Sequence, residues 1–460
     1  MSSLWDLLAL PGTIPGGEIH GRSGSLSLAN FVHQSTLGEH YGALRGRSIL
    51  IATQSQLACA AALLELDGIA RRVVLSTPDL STEQLDGVAR RAGADVIIFD
   101  SAAARAARSP LPFVVTTPPA PAAVDRHASE STEWIVLTSG TSGAPKLVVH
   151  TLHSLTDSLP RRALSGTPAV WSTFYDIRRY GGLQIYLRAL LTGAPLVLSS
   201  ADESTGDFIR RAAAAGVTHI SGTPSHWRRA LMSGATAALA PRYVRLSGEV
   251  ADQPLLDSLR AAFPAAQITH AFASTEAGVA FDVSDGLAGF PASYIEKGWG
   301  GVELKVDNGT LRIRSSRIAA RYLDEVPDPL VPSDGYVDTG DRVELLGGRY
   351  QFRGRIGGVI NVGGLKVYPE EVEAVLNSDP RVHLSRVHAR RNPITGAVVV
   401  ADVVLEQAAA RADSADLQSI AGELLNVCRH HLAAHKVPVT LHFVPRLELS
   451  AAGKLERPAA

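Results

Sequence analysis

Residues 48–100 read SILIATQSQLACAAALLELDGIARRVVLSTPDLSTEQLDGVARRAGADVIIFD. Three short apolar runs, 49–52, 72–76 and 94–99, alternate with two stretches of helical spacing, 54–66 and 83–92. The order β-α-β-α-β belongs to a parallel sheet covered by helices, because each helix carries the chain back to start the next strand in the same direction.

The alternation resumes downstream. Residues 169–174, 196–198, 217–221, 243–246 and 267–270 are expected strands, and 207–215 and 253–262 expected helices, the second preceded by Asp252 as N-cap. Two doubly wound α/β units are therefore expected. Residues 101–131, rich in Ala, Pro, Ser and Thr, read as a linker or long loop. From Trp299 the texture changes: 302–306, 310–315, 342–346 and 350–353 are short, alternating and separated by Gly or Asn, as in antiparallel hairpins. After Arg355 a small mixed module is expected, with helices at 370–377 and 417–433 and strands at 385–389 and 397–405.

Composition narrows the class. The 460 residues are 45% hydrophobic and 19% charged, with a formal net charge of −1, as in an ordinary soluble globular protein of several domains. No basic excess favours nucleic acid or an anionic membrane, so neither is expected as a partner. The two cysteines, Cys59 and Cys428, lie far apart and make no disulfide framework. Residues 1–12 lack a basic stretch followed by an apolar one, and the most apolar run, 57–70, contains Glu65 and Asp67. A cytoplasmic protein is expected.

The sharpest local signal is Leu137-Thr138-Ser139-Gly140-Thr141-Ser142-Gly143-Ala144-Pro145-Lys146. It stands between two β-prone runs, and seven of its ten residues are hydroxyl-bearing, glycine or lysine. Such a loop turns N–H groups and hydroxyls toward phosphate oxygens, and Lys146 adds compensating charge. A generic P-loop NTPase is excluded, because Leu147 follows the lysine and strands on both sides imply a hairpin, not the opening of a helix. A flexible surface hairpin is the plain alternative.

Five segments, in order, resemble the AMP-forming acyl- and aryl-CoA synthetase family, which includes the adenylation domains of peptide synthetases and the luciferases. Residues 138–146 resemble its phosphate loop. Phe272-Ala273-Ser274-Thr275-Glu276 resembles its aromatic-Gly-x-Thr-Glu motif. Tyr336-Val337-Asp338-Thr339-Gly340-Asp341 resembles its Tyr-x-Thr-Gly-Asp segment with one residue more before the threonine. Gly354-Arg355 and Asn361-Val362-Gly363-Gly364-Leu365-Lys366-Val367 resemble the interdomain hinge and the segment after it. Gly453-Lys454-Leu455-Glu456-Arg457 resembles the catalytic-lysine motif. The resemblance spans 134–458; upstream only the α/β texture matches.

The resemblance implies a large N-terminal domain, residues 1–354, of two doubly wound α/β subdomains plus a small β-barrel-like subdomain, followed by a small mobile α+β domain, residues 355–460. It implies an ATP-dependent ligase that makes an acyl-AMP and passes the acyl group to a thiol. Lys454 would stabilise charge developing between carboxylate and α-phosphate. Glu276 would help hold Mg²⁺ on the ATP phosphates, and Thr275 would hydrogen-bond the α-phosphate. ATP or AMP would be held by Thr138, Ser139, Gly140, Thr141, Ser142, Gly143 and Lys146, by the adenine-side loop Gly248-Glu249-Val250, by Phe272, Ala273 and Ser274, with Phe272 stacked on the base, and by Asp341 and Arg355 on the ribose side. Gly363 and Gly364 would admit a pantetheine arm. Gly357-Gly358 occupies the place of a frequent acidic hinge residue, and Asn361 that of a frequent lysine.

The acid pocket is expected among 174–184, 219–227 and 272–274, with Tyr175, Asp176, Arg179, Gly181 and Gly222 as its residues. The histidine that many acyl-activating members carry is absent there, and Tyr175 or Asp176 lies near its place. Arg178 or Arg179 would pair with a second carboxylate or polar substituent, or else be solvated. His219, His226 and Trp227 are further lining candidates, His219 equally a core histidine. His430, His431 and His435 have no carboxylate or cysteine framework and read as a wet helix face rather than a metal site. The expected substrates are ATP with Mg²⁺, a small carboxylic acid, and coenzyme A or a separate acyl carrier protein. A non-catalytic nucleotide-binding regulator is the alternative from another class, against which the retained Glu276, Asp341 and Lys454 argue.

Overall fold

The computed structural model describes residues 3–8, 17–100, 111–138, 145–160, 168–324, 329–393, 395–406, 409, 414–450 and 453–455. The stretch 48–100 builds the centre of a seven-stranded sheet. Ser48–Ile51 pairs in parallel with Arg72–Leu75 on one side and Val96–Asp100 on the other. The helix Gln56–Leu66 starts where the Ser55 hydroxyl accepts from the Leu57 and Ala58 amides. Thr82–Ala92 starts at a Ser81/Gln84 capping box and stops at Gly93, whose φ of 58° a side chain rarely adopts. Successive strand residues point to opposite faces, so Ile49 and Ile51 pack with the first helix while Leu50 packs with Val88 and Ala89 of the second.

Glu133–Thr138 joins this sheet in parallel beside Arg72–Leu75, and Lys146–His150 returns antiparallel to it, with Lys146 opposite Thr138 and Val148 opposite Val136. The expected hairpin therefore frames residues 139–144. The two-residue strand Arg321–Tyr322 closes this edge from far along the chain. At the other edge the structure differs from expectation. Phe113–Thr116, inside the stretch read as a linker, pairs in parallel with Val96–Asp100. Its short β-prone run is hidden by the prolines around it.

The second unit is an eight-stranded sheet in the order Gly278–Val283, Gln267–Ser274, Tyr243–Ser247, His219–Gly222, Trp171–Thr173, Leu196–Leu198, Glu18–His20, Ser25–Ser27, parallel except at its two ends. The helices Gln56–Leu66 and Tyr180–Thr192 lie in one apolar core between the two sheets, where the Tyr186 hydroxyl donates to the Ala60 carbonyl at 2.8 Å. Thr205–Ala214, Pro224–Met232 and Gln253–Ala262 share the core on the other face.

The hairpins expected after Trp299 form a five-stranded antiparallel sheet around Phe281, Phe290, Leu311 and Val343. The last module has its own core. Pro369–Leu376 and Ser414–His431 pack with a three-stranded sheet in which Gly396–Leu405 lies between Val382–Asn392 and Thr440–Phe443. It docks on the second unit: Arg228 donates to the His383 carbonyl at 3.2 Å, Arg229 to the Leu447 carbonyl at 2.9 Å, and the Asn377 amide to Asp252 at 3.3 Å. The carboxyl ends of the parallel strands, at Thr138, Gly222, Ser247 and Ser274, open into the cleft beneath this module, the usual crevice of open α/β sheets.

Candidate active site

Lys454 enters that cleft on a turn. Its neighbour Gly453 has φ 69°, and a Cβ there would overlap the His226 imidazole, so glycine is required for both conformation and space. The Lys454 side chain reaches the Gly248 backbone: a Cβ at Gly248 would lie 3.4 Å from Lys454 Cε and 3.9 Å from Nζ. Lys454 is an exposed residue, yet the protein packed around its ammonium lowers its pKa by desolvation. Glu249, Asp341 and Glu276 oppose that shift, while Arg355 adds to it. The lysine thus converges with three carboxylates and an arginine that lie far away in sequence (454 against 249, 276, 341 and 355).

Asp341 and Arg355 face each other across the antiparallel pair Val337–Leu346 and Arg349–Arg355. Arg355 Nε lies 3.4 Å from Asp341 Oδ1, and its Nη2 donates to the Thr339 carbonyl at 2.9 Å. Desolvation raises the Asp341 carboxyl to about 6, although Arg355 and Lys454 both pull it down.

Of the phosphate-loop candidates, Thr138 and Lys146 are the two ends of the hairpin; Ser139, Gly140, Thr141, Ser142 and Gly143 lie outside the described residues. Lys146 Nζ sits 5.1 Å from the centre of the Tyr322 ring, and the Tyr322 hydroxyl makes a long 3.5 Å contact with Glu276 Oε1. Burial, with Glu276 beside it, pushes the Tyr322 phenol up to about 12, so it stays a donor toward that carboxylate. Thr275 and Glu276 are fixed from beneath by His150, whose Nε2 lies 2.7 Å from the Thr275 carbonyl and Nδ1 3.1 Å from Ser154 Oγ. Burial lowers its pKa to about 4, so the ring is neutral, with the proton on Nε2 facing the carbonyl. The Ser274 hydroxyl accepts from the Ala277 amide at 3.0 Å. Phe272 stacks on Phe352, 5.3 Å between centroids and 4° between planes, and on Phe281 at 5.7 Å, so its ring belongs to an aromatic column of the five-stranded sheet.

Sequence reading missed His150 and Tyr322. A lone histidine after an apolar run carries no signal, and Tyr322 reaches the site through a strand pairing invisible in one sequence.

A narrow slot runs inward past Gly181, Gln184, Ser221, Ser247 and Ala273 to Arg188 and Arg245. Its cavity volume is about 20 Å³, room for a water molecule. Gly181 lines it, and Tyr175 backs it: its hydroxyl donates to the Ser247 carbonyl at 2.7 Å and its ring lies 3.4 Å from where a Gly181 Cβ would stand. Asp176 binds Arg178 at 2.5 Å, and Arg178 is buried with a further bond to the Thr53 carbonyl. Arg179 pairs with Asp79 at 3.0 Å, away from the slot. Trp227 is a core side chain whose Nε1 donates to the Arg245 carbonyl at 3.2 Å. His219 packs between Trp171 and Tyr243, with centroids 4.7 and 5.6 Å away. Gly222 is in close packing, where a Cβ would press on Phe174 at 2.7 Å. Asp176 and Arg179 stand out in the sequence by charge, which each spends on a neighbour.

The charges that do face the slot are Arg188 and Arg245. Arg245 is paired with Asp282, at 2.8 and 3.0 Å, which outweighs the cost of its burial. Arg188 stands 5.5 Å over the Trp171 ring, and its pKa is lowered by desolvation and then by Arg245. Gly363 and Gly364, with φ of 58° and 87°, form the turn between Ile360–Val362 and Leu365–Val367; a Cβ at Gly364 would meet nothing within 4 Å. Among the described residues no group of three or more His, Cys, Asp or Glu is arranged to hold a metal ion, which covers His430, His431 and His435.

Residues 35–313 match the family model described as AMP-binding enzyme, and 371–454 that of the AMP-binding enzyme C-terminal domain. The chain is 28% identical over 361 residues to a p-hydroxybenzoic acid–AMP ligase of Mycobacterium tuberculosis, covering 74% of this chain and 50% of that protein. It thus spans about half the length of that curated relative. It is 28% identical over 347 residues to a 2-succinylbenzoate–CoA ligase of Geobacillus kaustophilus, covering 71% and 68%. In fold it superposes on an anthranilate CoA ligase in complex with anthranoyl-AMP, with a TM-score of 0.79 over 98% of this chain and 95% of the other at 18% identity.

Proposed function

Because this chain belongs to the AMP-binding enzyme family, we propose that it activates a carboxylic acid with ATP and transfers the acyl group to the thiol of coenzyme A. In the first half-reaction a carboxylate oxygen attacks the α-phosphorus of ATP, the bond to the bridging oxygen breaks, and acyl-AMP and pyrophosphate result. In the second, the thiol sulfur attacks the acyl carbon, AMP leaves with the electron pair, and the thiol proton passes to solvent.

The observation that carries this reading is the convergence on Lys454. Its ammonium has Glu249, Asp341 and Glu276 around it, which fits a group that meets charge developing when an acid attacks phosphorus. Asp341 accepts from the ribose hydroxyls with Arg355 beside it. Thr138 and Lys146 stand opposite each other at the ends of two paired strands, and the sequence between them suits phosphate oxygens. Glu276 offers a hard oxygen with no guanidinium or ammonium on it among the described residues, which fits Mg²⁺ carried in on ATP. Bound there, Mg²⁺ supplies charge neutralisation on the phosphates. Rotation of residues 355–460 about Arg355 to Gly358 then presents the Gly363-Gly364 turn for thiol entry.

The relatives named above act, by name, on aromatic acids. Arg188 in the slot lining favours an acid whose anionic or acceptor group reaches it, because it is Arg245 that holds the ion pair with Asp282. Two buried free cysteines and no helix among the described residues able to cross a membrane fit a cytoplasmic enzyme. ATP–pyrophosphate exchange over a panel of aromatic and aliphatic acids tests the proposal. Exchange with at least one acid, followed by thioester formation with coenzyme A, is expected; ATP binding without exchange for any acid contradicts it and favours a nucleotide-binding regulator. Transfer only to a carrier protein would replace the acceptor and keep the first half-reaction.

A further inference from the structure

Glu249 lies at the mouth of the cleft, where the family resemblance assigns it to the adenine side. Its carboxylate is engaged elsewhere. Oε2 accepts from the Ser225 amide at 2.9 Å and Oε1 from the Ser225 hydroxyl at 3.0 Å. Oε1 also accepts from the Leu455 amide at 3.0 Å, across the boundary between the second α/β unit and the C-terminal module. The other side of Lys454 is held as well. Thr223, the N-cap of Pro224–Met232, accepts from the His226 amide at 3.0 Å and donates its hydroxyl proton to the Gly453 carbonyl at 2.5 Å.

The two bonds bracket one residue. Gly453 supplies the carbonyl before Lys454, and Leu455 the amide after it. Both anchors rest on the start of the same helix, Thr223 as its cap and Ser225 inside its first turn, where free N–H groups favour a carboxylate. A side chain as long as lysine's has several rotatable bonds, so its ammonium is located only as well as the backbone that carries it. The glycine at 453, fitted against His226, leaves the turn little freedom to adjust.

We propose that Glu249 is a positioning residue for Lys454: with Thr223 it clamps the backbone on both sides of the lysine in the acyl-adenylate-forming arrangement and lets go when the C-terminal module rotates. The inference rests on the ligase reading above. It makes the clamp specific to one half-reaction, since the Glu249–Leu455 and Thr223–Gly453 bonds join two bodies that must part before the thiol enters. Glu249 acts through the backbone around Lys454, by way of the Leu455 amide.

Glu249→Ala and the milder Glu249→Gln are compared with the parent and with Lys454→Ala in two assays: ATP–pyrophosphate exchange, and thioester formation from supplied acyl-AMP and coenzyme A. Loss of one charge-assisted bond predicts a fall of about 10- to 100-fold in exchange kcat for Glu249→Ala. The KM for ATP stays within about threefold, thioester formation is unchanged, and Glu249→Gln loses less. Adding Glu249→Ala to Lys454→Ala costs nothing further, because two residues that act as one unit are not additive. Amide hydrogen exchange gives a readout independent of turnover: in Glu249→Ala the peptide holding Lys454 exchanges faster while the sheet strands do not. A raised KM for ATP at unchanged kcat would return Glu249 to the adenine. Equal loss of both half-reactions, additivity with Lys454→Ala, or an unchanged exchange rate at residues 453–455 overturns the clamp. Absence of exchange in the parent with every acid contradicts the ligase reading itself, and the amide measurement then still decides whether Glu249 holds the segment.

Discussion

At the scale of single residues, the acid slot shows how burial sorts charge. Arg178, Arg179 and Arg188 all lie within eleven residues of one another in sequence, yet only Arg188 faces the slot. The signal was present. Gly181, Gln184, Ile185 and Arg188 follow the 3, 4 and 7 spacing of one helix face, and all four line the slot. Asp176 and Arg179 were more conspicuous only because their partners, Arg178 and Asp79, are not deducible from a single sequence. Arg188→Leu is therefore expected to lower kcat/KM at least about tenfold for an acid with a second carboxylate, such as benzene-1,3-dicarboxylate, relative to benzoate, as expected for a lost charge-assisted bond. Pyrophosphate-exchange kinetics on the pair check it, and equal losses for both acids would place Arg188 in the scaffold. Asp341 gives a pH prediction. Its carboxyl is raised to about 6 in the free protein, so it is ionised above that pH and protonated below it. A protonated Asp341 can accept less well from two ribose hydroxyls, so adenosine affinity falls as pH drops through about 6. Calorimetric titration with adenosine, which has no phosphate to titrate, checks the direction, and Asp341→Asn flattens the profile.

At the scale of elements, the parallel strands and their helices were legible because each carries its own period and its own caps, as at Ser55, Ser81 and Gly93. Phe113–Thr116 was not, because four residues at a sheet edge carry too little pattern against prolines on both sides. Arg321–Tyr322 is shorter still and matters more, since it sets Tyr322 between Lys146 and Glu276. The connection after Arg355 is the other decisive element. Gly354 has φ 122°, and any side chain there would run into Glu370. Gly357 has no positive φ and sits in the single turn Ile356–Gly358, so a residue of fixed φ there stiffens the turn. Gly357→Pro is expected to keep ATP–pyrophosphate exchange within about threefold and to slow acyl transfer to coenzyme A by about tenfold or more, as a hinge substitution does. Rapid-quench measurement of both half-reactions checks this. Equal slowing of both would mean that the turn is not the hinge.

At the scale of the whole molecule, two α/β sheets share one core and the C-terminal module stands on its own, docked by a few polar contacts. That contrast is what the proposed rotation requires, a floor with a shared core and a cap with a core of its own. The cap brings Lys454 to Glu249, Asp341 and Glu276, with Arg355 alongside. The most direct test of the account is the rate of each half-reaction in Lys454→Ala, measured on the same preparation. Acyl-AMP formation from acid and ATP should fall by about 100-fold or more, as for a removed electrostatic stabiliser, while thioester formation from supplied acyl-AMP and coenzyme A stays within about threefold of the parent. Undiminished adenylation in that variant, or an equal collapse of both steps, would contradict the role given to the lysine and with it the mechanism.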